Sequence, residues 1–328
     1  MSELEAIDPA LIVRGAEEDP RVGGRVRLGP VQALVPGETA SATVALLGIA
    51  DDRGVTNGGG RAGASEGPRE LRRWLYAMAC GGGGELSALR LFDLGDATPG
   101  PGWMRSIEAV HAIAEAAVRA ALAAGARVVL LGGGHDGAFA SHSGLLRAIS
   151  PHAKVSAINI DARCEVRALG DGLLVTSGTP FRRLKERWGD RYALVEFGIQ
   201  MQHNARAQVE WAHAQGWPVL ELRRLREDGV EKRFVRQLIR ARGSSDALAV
   251  SVDLGSVQMT SAPGVSAPCP DGFTAGELCA FARDAGRESA VRLLDVMECA
   301  PALDLHGATA RLGAAAIWSF LAGACEST

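Results

Sequence analysis

The chain has 328 residues, 47% of them hydrophobic, with 35 Lys and Arg against 38 Asp and Glu for a formal charge of -3. That length buries a large core in one unit, and the dispersed, nearly balanced charge announces neither a nucleic-acid nor an anionic-membrane surface, which leaves a small molecule as the expected partner. The acidic start, Met1 to Pro9, lacks the order of a secretory signal, each longer apolar stretch reads as broken by a charge, and the six cysteines show no CxxC pairing, so the expectation is a cytoplasmic protein with reduced thiols and no membrane span.

Residues 1–40 read as an N-terminal lead-in and 41–328 as a single domain. From there, apolar runs with β-branched residues predict eight strands: Ala42–Gly48, Leu89–Asp93, Arg127–Leu131, Val155–Asp161, Tyr192–Gly198, Pro218–Leu222, Ala247–Asp253 and Val291–Glu298. Gly54–Pro68 reads as a long Gly-rich loop after the first of these. Helical periodicity fills most of the other gaps, at Trp103–Ala124 with Gly125 as its C-cap, Ala138–Ile149, Arg206–Gln215, Val230–Arg242, Thr274–Ala285 and Ala308–Ala322. Short apolar strands alternating with amphipathic helices are the pattern of an α/β protein, a three-layer α/β/α sandwich around a mostly parallel eight-stranded sheet. In such sheets ligands collect at the carboxyl ends of the strands, so the chemistry should sit where strands stop.

The third strand runs into Gly132-Gly133-Gly134-His135-Asp136-Gly137. This formally satisfies G-x-G-x-x-G, which invites a dinucleotide site with Asp161 on a ribose, against a plain glycine turn. The fourth strand ends in Asp161-Ala162-Arg163-Cys164-Glu165 and the seventh in Ser251-Val252-Asp253-Leu254-Gly255. In extended chain, alternate side chains share a side, so Asp161, Arg163 and Glu165 are expected to converge. One histidine and three carboxylates, His135, Asp161, Glu165 and Asp253, suit a hard or borderline divalent ion such as Mn²⁺ better than a structural zinc.

In their order, these motifs resemble the ureohydrolase (arginase/agmatinase) superfamily, whose pattern is Gly-Gly-x-His-(Asp/Ser), Asp-Ala-His-x-Asp and Ser-x-Asp-x-Asp on strand ends. Gly54–Pro68, Ser177–Phe181, Gly198-Ile199-Gln200 with Asn204, Ala262–Pro268 and Asp295–Arg311 resemble its formimidoylglutamase branch in particular. The resemblance implies an arginase-like fold and a homo-oligomer. It also implies hydrolysis of a linear C–N bond, formimino or guanidino, in an amidine or guanidine substrate, between two manganese ions.

Carried over position by position, His135, Asp161, Glu165 and Asp253 retain the ligands of one ion, with Glu in place of Asp at 165. The two private ligands of the other ion are replaced by Arg163 and Gly255. The resemblance therefore implies one divalent metal, Mn²⁺, with the Arg163 guanidinium in the second ion's room, paired to Asp161 and Asp253. Asp161, Glu298 and Arg163 are the candidate catalytic residues; Glu298 is expected to hold the cationic end of the substrate and Arg61 to clamp a substrate carboxylate. Asp136 is a candidate to orient His135, and His142 reads as a packing histidine. The alternative is a catalytically inactive relative that binds no metal, in which Arg163 neutralises buried carboxylates and the fold serves a binding or structural role.

Overall fold

The computed structural model describes residues 4–30, 33–34, 42–170 and 174–327. Parts of the expected lead-in, 1–3, 31–32 and 35–40, therefore lie outside the described residues. Among those described, a short hairpin of β1 (Gly15–Ala16) and β2 (Asp19–Pro20) precedes the main sheet. The sheet comprises β3 (Val26–Leu28), β4 (Ala42–Ile49), β5 (Leu89–Ala97), β6 (Arg127–Leu131), β7 (Val155–Ile160), β8 (Tyr192–Ile199), β9 (Val219–Glu221), β10 (Ala247–Asp253) and β11 (Val291–Met297). Their order across it is β3-β5-β4-β6-β11-β10-β7-β8-β9, with every neighbouring pair parallel.

All eight expected strands form, and a ninth corrects the count: Val26–Leu28 docks on β5 from within the lead-in. Three residues with an arginine in the middle carry too little apolar pattern to be seen in sequence. Two further expectations are corrected. The Gly54–Pro68 loop is partly helical, since it carries most of α1 (Arg53–Asn57), a turn at Ala64–Glu66 and the first residues of α2 (Gly67–Ala77). The helix expected at Ala308–Ala322 extends to Glu326 as α10 (Ala308–Glu326), long and apolar enough by composition to cross a membrane, with 67% of its apolar window buried against the rest of the fold.

Alternate strand residues feed two cores. On one face, Val44, Leu46, Val129 and Leu131 meet α2, α7 (Leu222–Asp228), α8 (Val230–Arg242), α9 (Ala275–Arg287) and α10 through Leu71, Leu225, Phe234, Phe281 and Phe320. On the other, Ala45, Leu47, Val128 and Leu130 meet α3 (Ile107–Ala123), α4 (Ala138–Ala148), α5 (Pro180–Trp188) and α6 (Arg206–Ala214) through Val118, Leu145, Phe181 and Ala212. Both faces are covered, which is why the strands are apolar along nearly their whole length. Local signals set several helix ends: Ser106 caps α3, Thr274 and Glu277 form a capping box on α9, and Gly125 follows α3 at φ +89°.

Helix α2 is tied to the sheet by a buried ion cluster. Arg72, fully enclosed, donates from Nε to Asp93 at 2.6 Å and from Nη1 to Asp96 at 2.6 Å, and Tyr76 donates its hydroxyl to Asp93. Because the segment 54–66 hangs between β4 and α2, this anchor also fixes one wall of the cleft described below. Removing one member of such a cluster strands an unpaired buried charge, which outweighs the desolvation saved. Arg72→Leu is expected to lower the free energy of urea unfolding by about 3–5 kcal/mol, and a loss under about 1 kcal/mol would remove the anchor from the account of this fold.

Candidate metal centre

Four adjacent strands, β6, β11, β10 and β7, stop side by side. Just past their ends stand His135, Glu298, Asp253 and Asp161, residues far apart in sequence that the strand order makes neighbours. Phase differences are small: Val252 is level with Ile160 and Asp253 with Met297.

The glycine loop after β6 is built by close backbone approach. A Cβ on Gly133 would lie 2.1 Å from the Asp51 carbonyl oxygen, and one on Gly134 would lie 2.5 Å from Asp136 Oδ1. Its N–H groups are consumed within the protein: Gly132 donates to Val296, Gly134 to Asp51, and His135 to Glu298 Oε1 at 2.8 Å. None of these three is left for a pyrophosphate, so the dinucleotide reading fails here. In return the Glu298 N–H donates to the Gly133 carbonyl at 2.9 Å, so loop and strand end lock each other. Glu298 holds φ +68°, a left-handed conformation unusual for a non-glycine residue.

His135 is buried, edge-on to Phe181. Its Nε2 lies 3.0 Å from Ser251 Oγ, while Nδ1 faces Asp161 Oδ2 at 3.3 Å and Asp253 Oδ2 at 3.8 Å. A proton on Nε2, donated to Ser251, leaves the Nδ1 lone pair aimed between the carboxylates. Nδ1 and Asp161 Oδ2 are both buried without an aligned hydrogen-bond partner. Ligand atoms of His135, Asp161 and Asp253 lie within 4.8 Å of one another. Neighbouring ligands on an ion about 2.1 Å away stand roughly 3 Å apart, so this oxygen-rich trio, with two of its atoms unsatisfied, fits a divalent ion of the Mn²⁺ type. Without an ion, burial would depress the imidazole pKa, but Asp161 and Asp253 outweigh it and hold it well above the ordinary range.

Glu165, the fourth expected ligand, does not join the trio. The extended-chain argument breaks down after β7: residues 161–163 bend, with the Arg163 N–H donating to Asp161 Oδ1 at 2.9 Å, and Glu165 itself sits at φ +50°. Its Oε2 lies beside Gly178, 3.2 Å from where a Cβ there would sit. Burial, then the neighbouring Asp161 charge, pushes its pKa up to about 8.

Arg163 lines the same cleft but makes no ion pair within 4.0 Å with Asp161 or Asp253; Nη1 points to the Ala267 carbonyl at 3.5 Å. This corrects the expected charge-assisted pairing, although the two carboxylates still hold its pKa up against the opposing effect of burial. Gly255 adds no ligand, and its N–H is bound to Asp253 Oδ1 at 2.6 Å. No donor from positions 163 or 255 is available to a second ion.

The remaining expected residues divide. Glu298 lines the cleft, a space of about 180 Å³, with Asp253, Glu165 and Arg163. Burial, then Asp253, holds its carboxyl well above the usual range. Arg61 spends Nε on the Ser266 carbonyl at 2.9 Å and Nη2 on that of Val265 at 2.8 Å, stitching two loops instead of presenting a fork to the cleft. Asp136 pairs with His111 Nε2 at 3.0 Å and not with His135. His142 is fully buried between Asp295 and Tyr192, at 2.9 and 2.8 Å, a satisfied packing histidine. Two features at or beside the cleft lack a sequence assignment: Ser251, whose hydroxyl shares a hydrogen bond with His135 Nε2, and Arg167, which lines the cleft. Continuing the alternation of Arg163 and Glu165 by one more step would have reached Arg167.

Fold and site together define an α/β/α protein with a buried cluster of one histidine and two carboxylates, disposed as metal ligands, at the carboxyl edge of a parallel sheet. Residues 42–323 match the arginase family, and the chain belongs to it. It is 30% identical over 319 residues to the formimidoylglutamase of Klebsiella pneumoniae (strain 342), an alignment covering 94% of this chain and 96% of that one. It superposes on the crystal structure of Trypanosoma cruzi formiminoglutamase with Mn²⁺ at a TM-score of 0.79 and 27% identity, covering 94% of this chain and 100% of the other. Formimidoylglutamase from Bacillus subtilis matches at a TM-score of 0.84, with 21% identity over 96% of this chain and 95% of that one, and supports the fold alone.

Two outcomes test this centre. His135→Ala is expected to abolish Mn²⁺ binding measured by calorimetry while the far-ultraviolet dichroism stays as in the parent protein. The second concerns Glu165, whose folded pKa of about 8 lies above the ordinary 4.5. Its contribution is fully present below about pH 4.5 and is lost as pH rises through about 8, because the unfolded chain releases this proton earlier. The Tm of the metal-free protein should therefore fall between about pH 5 and about pH 9, and Glu165→Gln should flatten the fall by up to one ionisation's worth. Parallel curves for the two proteins would show that Glu165 does not carry the shift.

Proposed function

We propose that the protein is a formimidoylglutamase-like hydrolase that cleaves a linear C–N bond of a formimino or guanidino substrate with a single divalent ion, Mn²⁺. The observation that carries this reading is the cluster of His135, Asp161 and Asp253, whose ligand atoms lie within 4.8 Å of one another and in which His135 Nδ1 and Asp161 Oδ2 are buried without a hydrogen-bond partner. An ion held there supplies Lewis acidity and makes water more acidic. Glu165, one methylene longer than the family Asp, is a reserve ligand that must turn from Gly178 and lose its proton to contribute.

The chain's own residues do the rest. Glu298 keeps Oε1 on the His135 N–H and leaves the other oxygen, which has no protein partner among the described residues, to accept an N–H of the amidinium. An arriving cation favours the ionised carboxylate, offsetting the burial that otherwise keeps Glu298 protonated. Arg163 donates hydrogen bonds to the oxygen of the attacking water as it adds to the amidinium carbon, the role open to a guanidinium where a second Lewis acid is missing. Asp161 fixes the ion and, through Oδ2, is the nearest carboxylate oxygen to His135 Nδ1. Water replaces the C–N bond to the amine, so a formimino substrate yields the free amine and formamide. Homologues named for this reaction, and one solved with Mn²⁺, support the reading. A cytoplasmic homo-oligomer without nucleic-acid or membrane partners completes the proposal.

A second reading is favoured by Arg163 alone: a permanent charge lining the cleft repels a divalent ion, so the protein would be an inactive relative that binds an amidine through Glu298. Elemental analysis of protein purified without chelators, followed by an assay of formamide release from N-formimino-L-glutamate, separates the two. About one ion per chain with turnover supports the hydrolase; no ion from Mn²⁺, Ni²⁺, Zn²⁺ or Fe²⁺ supports the inactive relative. The double variant Arg163→His, Gly255→Asp is expected to bind about two ions and to turn over faster. A Cβ at 255 would stand 3.0 Å from Asp253 Oδ1, so Asp253 has to yield by a few tenths of an ångström. A double variant that still binds about one ion would mean that the pocket around Arg163 has been remodelled.

A further inference from the structure

Two arginines, Arg61 and Arg163, meet on one short stretch of loop beside the metal centre. Residues 265–268 follow Gly264, whose N–H donates to Thr309 Oγ1 at 2.7 Å and whose carbonyl accepts from the Ala300 N–H at 2.7 Å. They precede Cys269, whose carbonyl accepts from the Met259 N–H at 2.8 Å. Between these two anchors the backbone makes no bond to other backbone among the described residues. Three consecutive carbonyls are met by guanidinium groups instead. Arg61 donates from Nη2 to Val265 at 2.8 Å and from Nε to Ser266 at 2.9 Å, and Arg163 Nη1 rests on Ala267 at 3.5 Å. The Arg61 N–H adds a bond to Ser266 Oγ at 2.9 Å, and Gly60 lies against the same hydroxyl, where an added Cβ would stand 2.5 Å away. Arg61 itself stands on a fixed base, since Asn57 donates to the Val175 carbonyl at 3.0 Å and the Gly63 N–H to Asp52 Oδ2 at 2.6 Å.

Arg163 is held where Coulomb attraction alone would not leave it. Its backbone is fixed at both polar groups: the N–H donates to Asp161 Oδ1 at 2.9 Å and the carbonyl accepts from Asn159 Nδ2 at 3.3 Å. Only the side chain is free to choose a partner, and the charges of Asp161 and Asp253 attract it. Yet it pairs with neither carboxylate and rests on a neutral carbonyl. A guanidinium on those carboxylates would satisfy the Asp161 oxygen that is buried without a partner, and would fill the place among His135, Asp161 and Asp253 that an ion needs. The carbonyl that receives Arg163 continues directly from the two that Arg61 grips, so Arg61 sets where Ala267 stands.

We propose that Arg61 is a positioning residue for the metal centre: by gripping Val265 and Ser266 it keeps the Ala267 carbonyl in reach of Arg163, holds that guanidinium off Asp161 and Asp253, and leaves those carboxylates to an ion. The inference rests on the single-ion reading of the centre and deepens it. Without the grip, residues 265–267 lose the bonds on two of their three carbonyls, Arg163 turns to the carboxylates, and guanidinium and ion compete for one place. Apparent affinity for the ion then falls with the fraction of molecules in which that place is open.

The test is a calorimetric titration of Mn²⁺ into the full-length, chelator-stripped parent, Arg61→Gln, Arg163→Gln and the double variant. Expected for Arg61→Gln is a Kd raised about 10-fold, the consequence of an open fraction of about one in ten. Arg163→Gln should bind at least as tightly as the parent, and the double variant should match Arg163→Gln, because the competitor is gone. A double variant as weak as Arg61→Gln would reduce Arg61 to a structural brace and overturn the proposal, as would an unchanged Kd in Arg61→Gln. Where Arg61→Gln fails to fold, Arg61→Lys, which keeps the charge but not the paired bonds, carries the same comparison. If the parent binds no Mn²⁺, the single-ion reading fails, and crystal structures of the metal-free parent and Arg61→Gln decide Arg61 alone. A guanidinium moved from Ala267 onto Asp161 or Asp253 only in the variant upholds its role, and the same Arg163 position in both overturns it.

Discussion

Buried negative charge is the constraint on which this site depends. Asp161, Asp253, Glu165 and Glu298 are all buried around His135, and carboxylates held so close out of water cannot all be ionised without a cation among them. The protein answers in three ways at once. Protonation is favoured at Glu165 and Glu298, the imidazole of His135 is driven toward its charged form, and the guanidinium of Arg163 is brought to the cleft. A divalent ion at the His135 trio would displace the protons and use the same charge.

The backbone makes that concentration of charge tolerable. Parallel strands end together, and the glycine loop after β6 can nest against the ends of β11 and β4 only because Gly132 and Gly133 have no side chain. The His135 N–H then stabilises the carboxylate of Glu298, whose own N–H returns a bond to the Gly133 carbonyl. A row of buried polar residues in register across four strands, Asp295, Ser251, Asn159 and Glu196, lies beneath the site on the face that carries α4. Ser251 in that row links scaffold and site, since its hydroxyl lies 3.0 Å from His135 Nε2 while Nδ1 of the same ring faces Asp161.

Positions 163 and 255 offer no ligand atom to an ion here: Gly255 gives only its N–H, to Asp253 Oδ1, and Arg163 leans toward the Ala267 carbonyl. The cleft that Arg163 lines sets its guanidinium among the carboxylates of Asp253, Glu165 and Glu298.

Read alone, the sequence was sufficient for the α/β alternation, all eight of the apolar strands and the residues at their ends, because burial on both faces leaves an unbroken apolar signature that needs no knowledge of partners. It also placed His135, Asp161 and Asp253 at neighbouring strand ends, since ligand positions there follow from the parallel topology, while Glu298 came from the family resemblance. The short edge strand Val26–Leu28 was not legible, because it borrows its stability from β5. Nor were the roles of Arg61, Asp136, Arg163 and Glu165. Each is a polar side chain whose partner is chosen by a fold contact distant in sequence or by a local bend: Val265 and Ser266 for Arg61, His111 for Asp136, Ala267 for Arg163, and the positive φ at 165 for Glu165. Periodicity reports which side of an element is buried, whereas the partner of a buried charge is decided only when strands far apart in the chain become neighbours in the sheet.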